Sequence, residues 1–128
     1  MELDADVLAD IYLRYYARRQ EADRWAWETL ETLVDHDPDE AWRITCLLVD
    51  KTTSNEALAY VAAGPLEDLL KKHGPTIIDR VEDECRRNSR FQDALSGVWG
   101  IDRDNPIFDR WYALMWQYGF AEGKRTPL

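Results

Sequence analysis

The chain has 128 residues, 45% of them hydrophobic and 12% aromatic, which fits one domain with a workable core and excludes a disordered chain. A formal charge of −9 argues against nucleic acid as a direct ligand, because phosphate contacts need a basic surface. The longest good apolar run, Ile44 to Val49, is far too short to span a membrane, and the acidic start MELDADVLAD does not read as a secretory leader, so a cytoplasmic location is expected.

Helical periodicity recurs along the whole chain, and no stretch alternates apolar and polar residues over strand length. Leu8, Ile11, Tyr12 and Tyr15 predict a first helix over about 4–19. No Gly or Pro interrupts residues 1–37, yet one helix of that length would reach about 50 Å, wider than the domain, so a break near residues 20–23 is required. The second helix, about 23–35, faces inward through Ala26, Trp27, Leu30, Leu33 and Val34, with Trp25 off the stripe. Asp37, Pro38, Asp39 and Glu40 resemble an acidic metal cluster beside His36, but a capping box accounts for them better, with Asp37 as cap and Glu40 reaching back. The third helix carries Ala41, Trp42, Ile44, Leu47, Leu48 and Val49. It is apolar almost all round and is expected at the centre.

Thr53 with Glu56 predicts the next helix start, and Ala57, Leu58, Val61 and Ala62 lead to a corner. There Gly64 is expected to close one helix in the left-handed conformation and Pro65 to open another. Glu67 and Asp68 fall in the first turn of that helix, and Lys71, Lys72 and His73 in its last, as the helix dipole favours. Gly74 is expected to end it, with Pro75 preventing continuation. Ile77, Ile78, Val81 and Cys85 mark a further helix. Ser89 with Gln92 is a third capping box, ahead of Phe91, Ala94, Leu95 and Val98. Pro106 is expected to open the last helix, which ends at Gly119, and the tail over 121–128 is expected to fray. The reading is all-α: a single domain of seven to eight short helices in a compact bundle or short solenoid-like stack.

The run AAGPLEDLL (residues 62–70), the following HG, the IIDRVEDE segment and FQDALSGVW together resemble an uncharacterised family of small bacterial proteins, a domain of unknown function. The resemblance spans about 42–99. It implies a bacterial origin and an all-helical fold, and it brings no catalytic residues.

Charge is unevenly distributed: residues 1–41 hold 12 acids and 4 bases, and residues 42–128 hold 13 acids and 12 bases. A one-signed field attracts a basic partner, while surface acids also keep a small protein soluble. Asp79, Glu82 and Asp83 share one helix face and could bind a cation or tune a carboxyl. Arg80, Arg86 and Arg87 on the same helix, with Asp83 four residues before Arg87, favour a salt-bridged surface instead. His73, on an apolar face, reads as a hydrogen-bonded packing residue rather than a base. With only His36 and His73 present, a zinc site with several His ligands is not expected. Cys46 and Cys85 lie on apolar faces and read as buried free thiols. No phosphate loop, nucleophile elbow or metal-ligand spacing occurs, so neither a cofactor nor a metal is expected.

The last helix bears aromatics on more than one face, Trp111 and Tyr118 on one stripe and Tyr112 and Trp116 on another, and one core face cannot bury both. The functional expectation is a non-enzymatic, acidic protein-binding domain whose partner is a basic protein, for instance an immunity protein or inhibitor of a toxin or nuclease. The candidate partner-binding residues are Asp35, Asp37, Asp39, Glu40, Asp79, Glu82, Asp83, Tyr112 and Trp116. Gly64, Pro65, Glu67, His73 and Gly74 are the structural corner. Two alternatives stand beside it. One is a carboxylate-based enzyme or cation-binding protein using Asp79, Glu82, Asp83 and His73. The other is a homo-oligomeric module, such as a homodimer, that buries its surplus aromatics against itself.

Overall fold

In the computed structural model, which describes residues 4–119, the first helix begins where a carboxylate can cap it. Asp4 accepts the N–H groups of Asp6 (3.0 Å) and Val7 (3.3 Å) and opens α1 (Ala5–Arg18). Leu8, Ala9 and Tyr12 are its buried stripe. The break demanded by length falls at Arg19, whose φ of 53° makes it the one non-glycine residue with positive φ among the described residues. Two contacts offset the cost of that conformation. The Arg19 guanidinium lies 5.3 Å from the ring centres of both Tyr15 and Tyr60. Just beyond, Asp23 receives two hydrogen bonds from Arg14, at 2.8 and 2.7 Å, which fasten the short 3₁₀ turn Glu21–Asp23 back onto α1. The Arg14 guanidinium holds the Asp23 carboxyl below the usual carboxylate range.

The second helix, α2 (Arg24–His36), buries Ala26, Leu30 and Val34 and leaves Trp25 exposed, as its periodicity requires. Asp37 then caps α3 (Pro38–Lys51) through the Glu40 N–H at 3.3 Å. The reciprocal half of the expected box is missing. The Asp37 N–H goes to the Leu33 carbonyl, and the Glu40 carboxylate turns to Arg43 at 2.7 Å. Ile44, Leu48 and Val49 of α3 are fully buried, and α3 packs against α1, α2 and three later helices. That arrangement is a bundle about α3 rather than a stack in which each helix meets only its sequence neighbours.

Two further starts fall one residue from their expected places. Ser54, not Thr53, caps α4 (Asn55–Val61), accepting the Ala57 N–H at 3.1 Å. Asn88, not Ser89, caps α6 (Ser89–Leu95), accepting from Arg90 (3.0 Å) and Phe91 (3.3 Å). Gln92 instead donates to the Cys85 carbonyl at 2.6 Å, tying α6 to the helix before it. In each pair the adjacent side chain has the same capping chemistry, so the chain direction decides which is used. Asn105 caps the approach to α7 (Phe108–Leu114) by accepting the Ile107 N–H at 3.0 Å, and α7 passes into a π turn, Met115–Gly119. The helix therefore begins after Pro106 rather than at it.

The corner differs most from expectation. Gly64 does not take a left-handed conformation: at φ −98° and ψ −106° it kinks the chain inside a π turn, Ala62–Leu66, that joins α4 to α5 (Glu67–Arg87). Gly74 does not stop a helix either. The helix bends at His73 (φ −132°, ψ 27°) and runs on through Gly74 and Pro75 to Arg87. Helical structure is thus unbroken over 55–87, and six such segments account for the described helices where seven to eight separate ones were expected. The physical reason for Gly74 is contact: a Cβ there would lie 2.5 Å from Ile107 Cγ1, so the glycine lets the segment before α7 settle on α5. Residues 121–128, expected to fray, lie outside the described residues.

Candidate functional site

Each acid singled out in the sequence is engaged within the chain. Asp35 accepts from Lys72 at 2.7 Å and Asp39 forms an ion pair with Arg80 at 2.8 Å, while Asp37 serves as a cap and Glu40 holds Arg43. Arg110 of α7 bridges Asp79 (2.5 Å) and Glu82 (2.7 Å), and Arg86 reaches Glu82 (2.6 Å) and Asp83 (3.4 Å). The expected Asp83–Arg87 pair does not form, because Arg87 binds Glu84 instead. The N-terminal excess of acid is likewise reduced in space: Lys51 reaches Asp6 and Asp10, and Lys72 and Arg80 reach Asp35 and Asp39. These are exposed pairs of little energetic worth. Arg110→Ala should accordingly leave the thermal melting temperature almost unchanged, measured by circular dichroism.

His73 is not brought to those acids. Its Nε2 lies 2.6 Å from the Val34 carbonyl on α2, whereas Asp79 and Glu82 meet α7. Among the described residues no group of three or more His, Cys, Asp or Glu gathers in a way that could hold a metal ion. Burial pushes both the Cys46 and Cys85 thiols up to about 12, so each is a neutral packing group at physiological pH. Tyr112 is half-buried and stacks on Trp116, with ring centres 6.4 Å apart and planes 11° apart. Trp116 is 57% exposed.

A cleft that the sequence did not disclose lies at the Gly64 kink, where Gly64 and Pro65 line it together with Tyr12 of α1. The wall is α2, through Trp27, Leu30, Glu31 and Val34, and Asp68 in the first turn of α5 completes it. The space is small, about 40 Å³. A Cβ on Gly64 would sit 3.4 Å from Tyr12 Oη, so the kink also brings the chain close to α1.

The electrostatics of the cleft are those of a crowded anionic site. Burial pushes the Asp68 carboxyl above its usual range, with Glu67 and Asp35 adding to that and Lys72 and Lys71 opposing it. The Tyr12 phenol is also raised, first by burial, then by Tyr60, Asp68 and Glu31. Among the described residues neither Glu31 nor Asp68 takes part in a salt bridge or side-chain hydrogen bond, and the nearby Lys72 ammonium is committed to Asp35. A carboxyl raised in the fold is a stability cost that grows as pH rises through its folded value and vanishes below the unfolded one. Asp68→Asn should therefore raise the melting temperature at neutral pH, with the gain fading as the buffer is taken below the ordinary carboxylate range. A drop in melting temperature at neutral pH would contradict this account.

Glu67 is the other residue whose role local reading missed. The helix dipole accounts for an acid at that position, but Glu67 also clamps a distant loop: Oε1 accepts the N–H groups of Trp99 and Gly100, both at 3.0 Å, and Oε2 meets Lys71 at 3.2 Å. Burial works against its charge, yet those two N–H groups and Lys71 outweigh it and hold the carboxyl below its usual range. Nothing in the sequence pairs positions more than thirty apart, so only an acid followed by Lys at i+4 was legible.

Fold and site together define an all-helical domain whose kinked central segment carries a small anionic cleft; among the described residues no helix is long and apolar enough to cross a membrane. The chain belongs to the family of unknown function DUF6869, whose model matches residues 15–118. That match extends on both sides of the segment 42–99 that carried the resemblance, and it takes in every cleft residue except Tyr12. No curated protein and no solved structure matches the chain.

Proposed function

We propose that this is a non-enzymatic binding domain of the bacterial cytoplasm whose partner is a more basic protein, in its most concrete form a toxin or nuclease that the domain holds inactive. The observation that carries the reading is the cleft at the Gly64 kink, where Glu31 and Asp68 stand beside aromatic and aliphatic walls on a chain of net charge −9. Charge of one sign steers a basic protein to the domain, and a few desolvated contacts then hold it. The surface pairs around Asp35, Asp39, Asp79 and Glu82 serve as a polar rim that exchanges partners on binding.

The test is affinity capture with the tagged full chain from its native host, at low and at high salt, with mass spectrometry of what is retained. One basic protein held at low salt and weakened by high salt supports the reading. Retention of nothing, or only of further copies of the chain, removes it. In the second case light scattering across a concentration series would establish the homo-oligomeric alternative.

A further inference from the structure

We infer that Trp99 and Trp116 anchor a docking face for the basic partner, with Asp102, Asp104 and Asp109 as its charged margin. The inference rests on the binding function proposed above and names a face that shares no residue with the cleft at Gly64. Both indoles reach solvent: Trp99 is 52% and Trp116 57% exposed, more than any other large hydrophobic side chain among the described residues. They flank one crossing of the chain. Ser96 Cα lies 3.5 Å from where a Cβ on Gly119 would stand, and each tryptophan is three residues from that point, Trp99 after Ser96 and Trp116 before Gly119. Each is also positioned in advance. Glu67 accepts the N–H groups of Trp99 and Gly100, both at 3.0 Å, which pins the backbone that carries the first indole. A Cβ on Gly100 would lie 2.6 Å from Glu67 Oε2, so the clamp requires the glycine. The second indole stacks on Tyr112, with planes 11° apart, at the start of the π turn. A large aromatic group fixed beforehand loses little conformational entropy on binding, and tryptophan is for that reason a frequent interface anchor.

Charge selects the occupant. Several acids of the first forty residues meet bases across the fold, but the acids on the connection after Trp99 do not. Asp102, Asp104 and, in the first turn of α7, Asp109 are exposed, and among the described residues they take part in no ion pair or side-chain hydrogen bond. Between Trp99 and Arg110 the sequence holds one base, Arg103, and Arg110 is itself committed to Asp79 and Glu82. A margin of that sign repels nucleic acid and anionic lipid. It also disfavours a second copy of the chain, because a two-fold contact through this face would bring the same acids of both copies together. A protein surface with lysines or arginines around an apolar depression meets both the indoles and the acids.

The first probe is a pentapeptide of alternating lysine and leucine, titrated into the full chain. The indole N–H signals are followed in proton–nitrogen NMR spectra and assigned with Trp99→Phe and Trp116→Phe. The expected result is a saturable shift of those two indoles, with binding about tenfold weaker for a lysine–serine pentapeptide, which keeps the charge and loses the apolar contact. A shift confined to Trp25 or Trp27, or equal binding of the two peptides, overturns the inference. The basic protein retained from the host is then measured by surface plasmon resonance. Trp99→Ala should speed its dissociation and weaken binding about thirtyfold. Asp102→Asn/Asp104→Asn/Asp109→Asn should instead slow its association about tenfold and flatten the salt dependence. All these side chains are exposed, and circular dichroism confirms that the variants fold. Trp116→Ala, outside the Glu67 clamp, supplies the same readout if Trp99→Ala does not fold. A retained protein that binds every variant as it binds the native chain leaves the binding function standing and overturns this face. If only further copies of the chain are retained, the binding function falls and this face with it, and a dimer in light scattering that Trp99→Ala dissociates assigns the indoles to self-association.

Discussion

Gly74→Ala should destabilise the fold by about 1–2 kcal/mol in urea or thermal unfolding, although the substitution replaces glycine by the best helix former. Two opposing terms set that figure. Helix propensity favours alanine by up to about 1 kcal/mol at a helical position. Against it, the added Cβ would lie 2.5 Å from Ile107 Cγ1, 3.0 Å from Cγ2 and 3.3 Å from Cβ. Those are not the far atoms of a flexible chain: Ile107 is β-branched, 4% exposed and joined directly to the Asn105 cap, so the segment leading into α7 has to move. Overpacking of this kind costs about 1–3 kcal/mol and wins. The contact is testable by a double-mutant cycle. Ile107→Ala alone loses a buried side chain, at about 2–5 kcal/mol, but the pair should fall short of the sum of the singles by at least about 1 kcal/mol. Gly74→Asn separates this account from a helix stop. A left-handed stop tolerates Asn well, whereas a tight crossing makes Asn worse than Ala because it is larger.

Glu67→Ala should cost about 2–3 kcal/mol, and Glu67→Gln about 1 kcal/mol. The carboxylate satisfies two backbone N–H groups at Trp99 and Gly100, and its removal leaves both without that acceptor on the connection that brings Ile101 and Ile107 into the core. Glutamine keeps one oxygen in place but loses the charge and the contact with Lys71. The sign of the pH dependence follows from the lowered carboxyl. Its contribution is present above the ordinary glutamate value and is lost as pH falls through the lower folded value. Urea titrations of the native chain and Glu67→Gln should therefore differ most near about pH 7 and converge toward about pH 3. A gap that stays constant over that range would mean that shape, not charge, anchors the loop.

These residues also mark where local reading stops. Gly64 and Gly74 each looked like punctuation, since Gly followed by Pro is the strongest local signal for ending a helix. Both instead lie within one helical segment, because neighbouring elements supply what the local pattern lacks. Gly64 yields to Tyr12 of α1 and Gly74 to Ile107 before α7. The same limit applies to charge. Lys51, Lys72 and Arg80 meet acids of the first forty residues only after folding, so the imbalance counted along the chain overstates the field in space. The cleft was invisible for the same reason. Tyr12, Glu31 and Asp68 are far apart in sequence, and no spacing rule joins them.

Residue patterns along the chain were enough for the all-helical class, the central place of α3, the break after α1, the capping of α3 by Asp37 and the inward stripes. Each of those depends on side chains within a few positions of one another, where periodicity and capping chemistry act directly. The tertiary structure alone decided which helix ends are real stops, which acids are paired, what Glu67 holds and where a cleft opens. Those outcomes depend on close approach between segments tens of residues apart, and close packing, not local propensity, selects which approaches the chain can make.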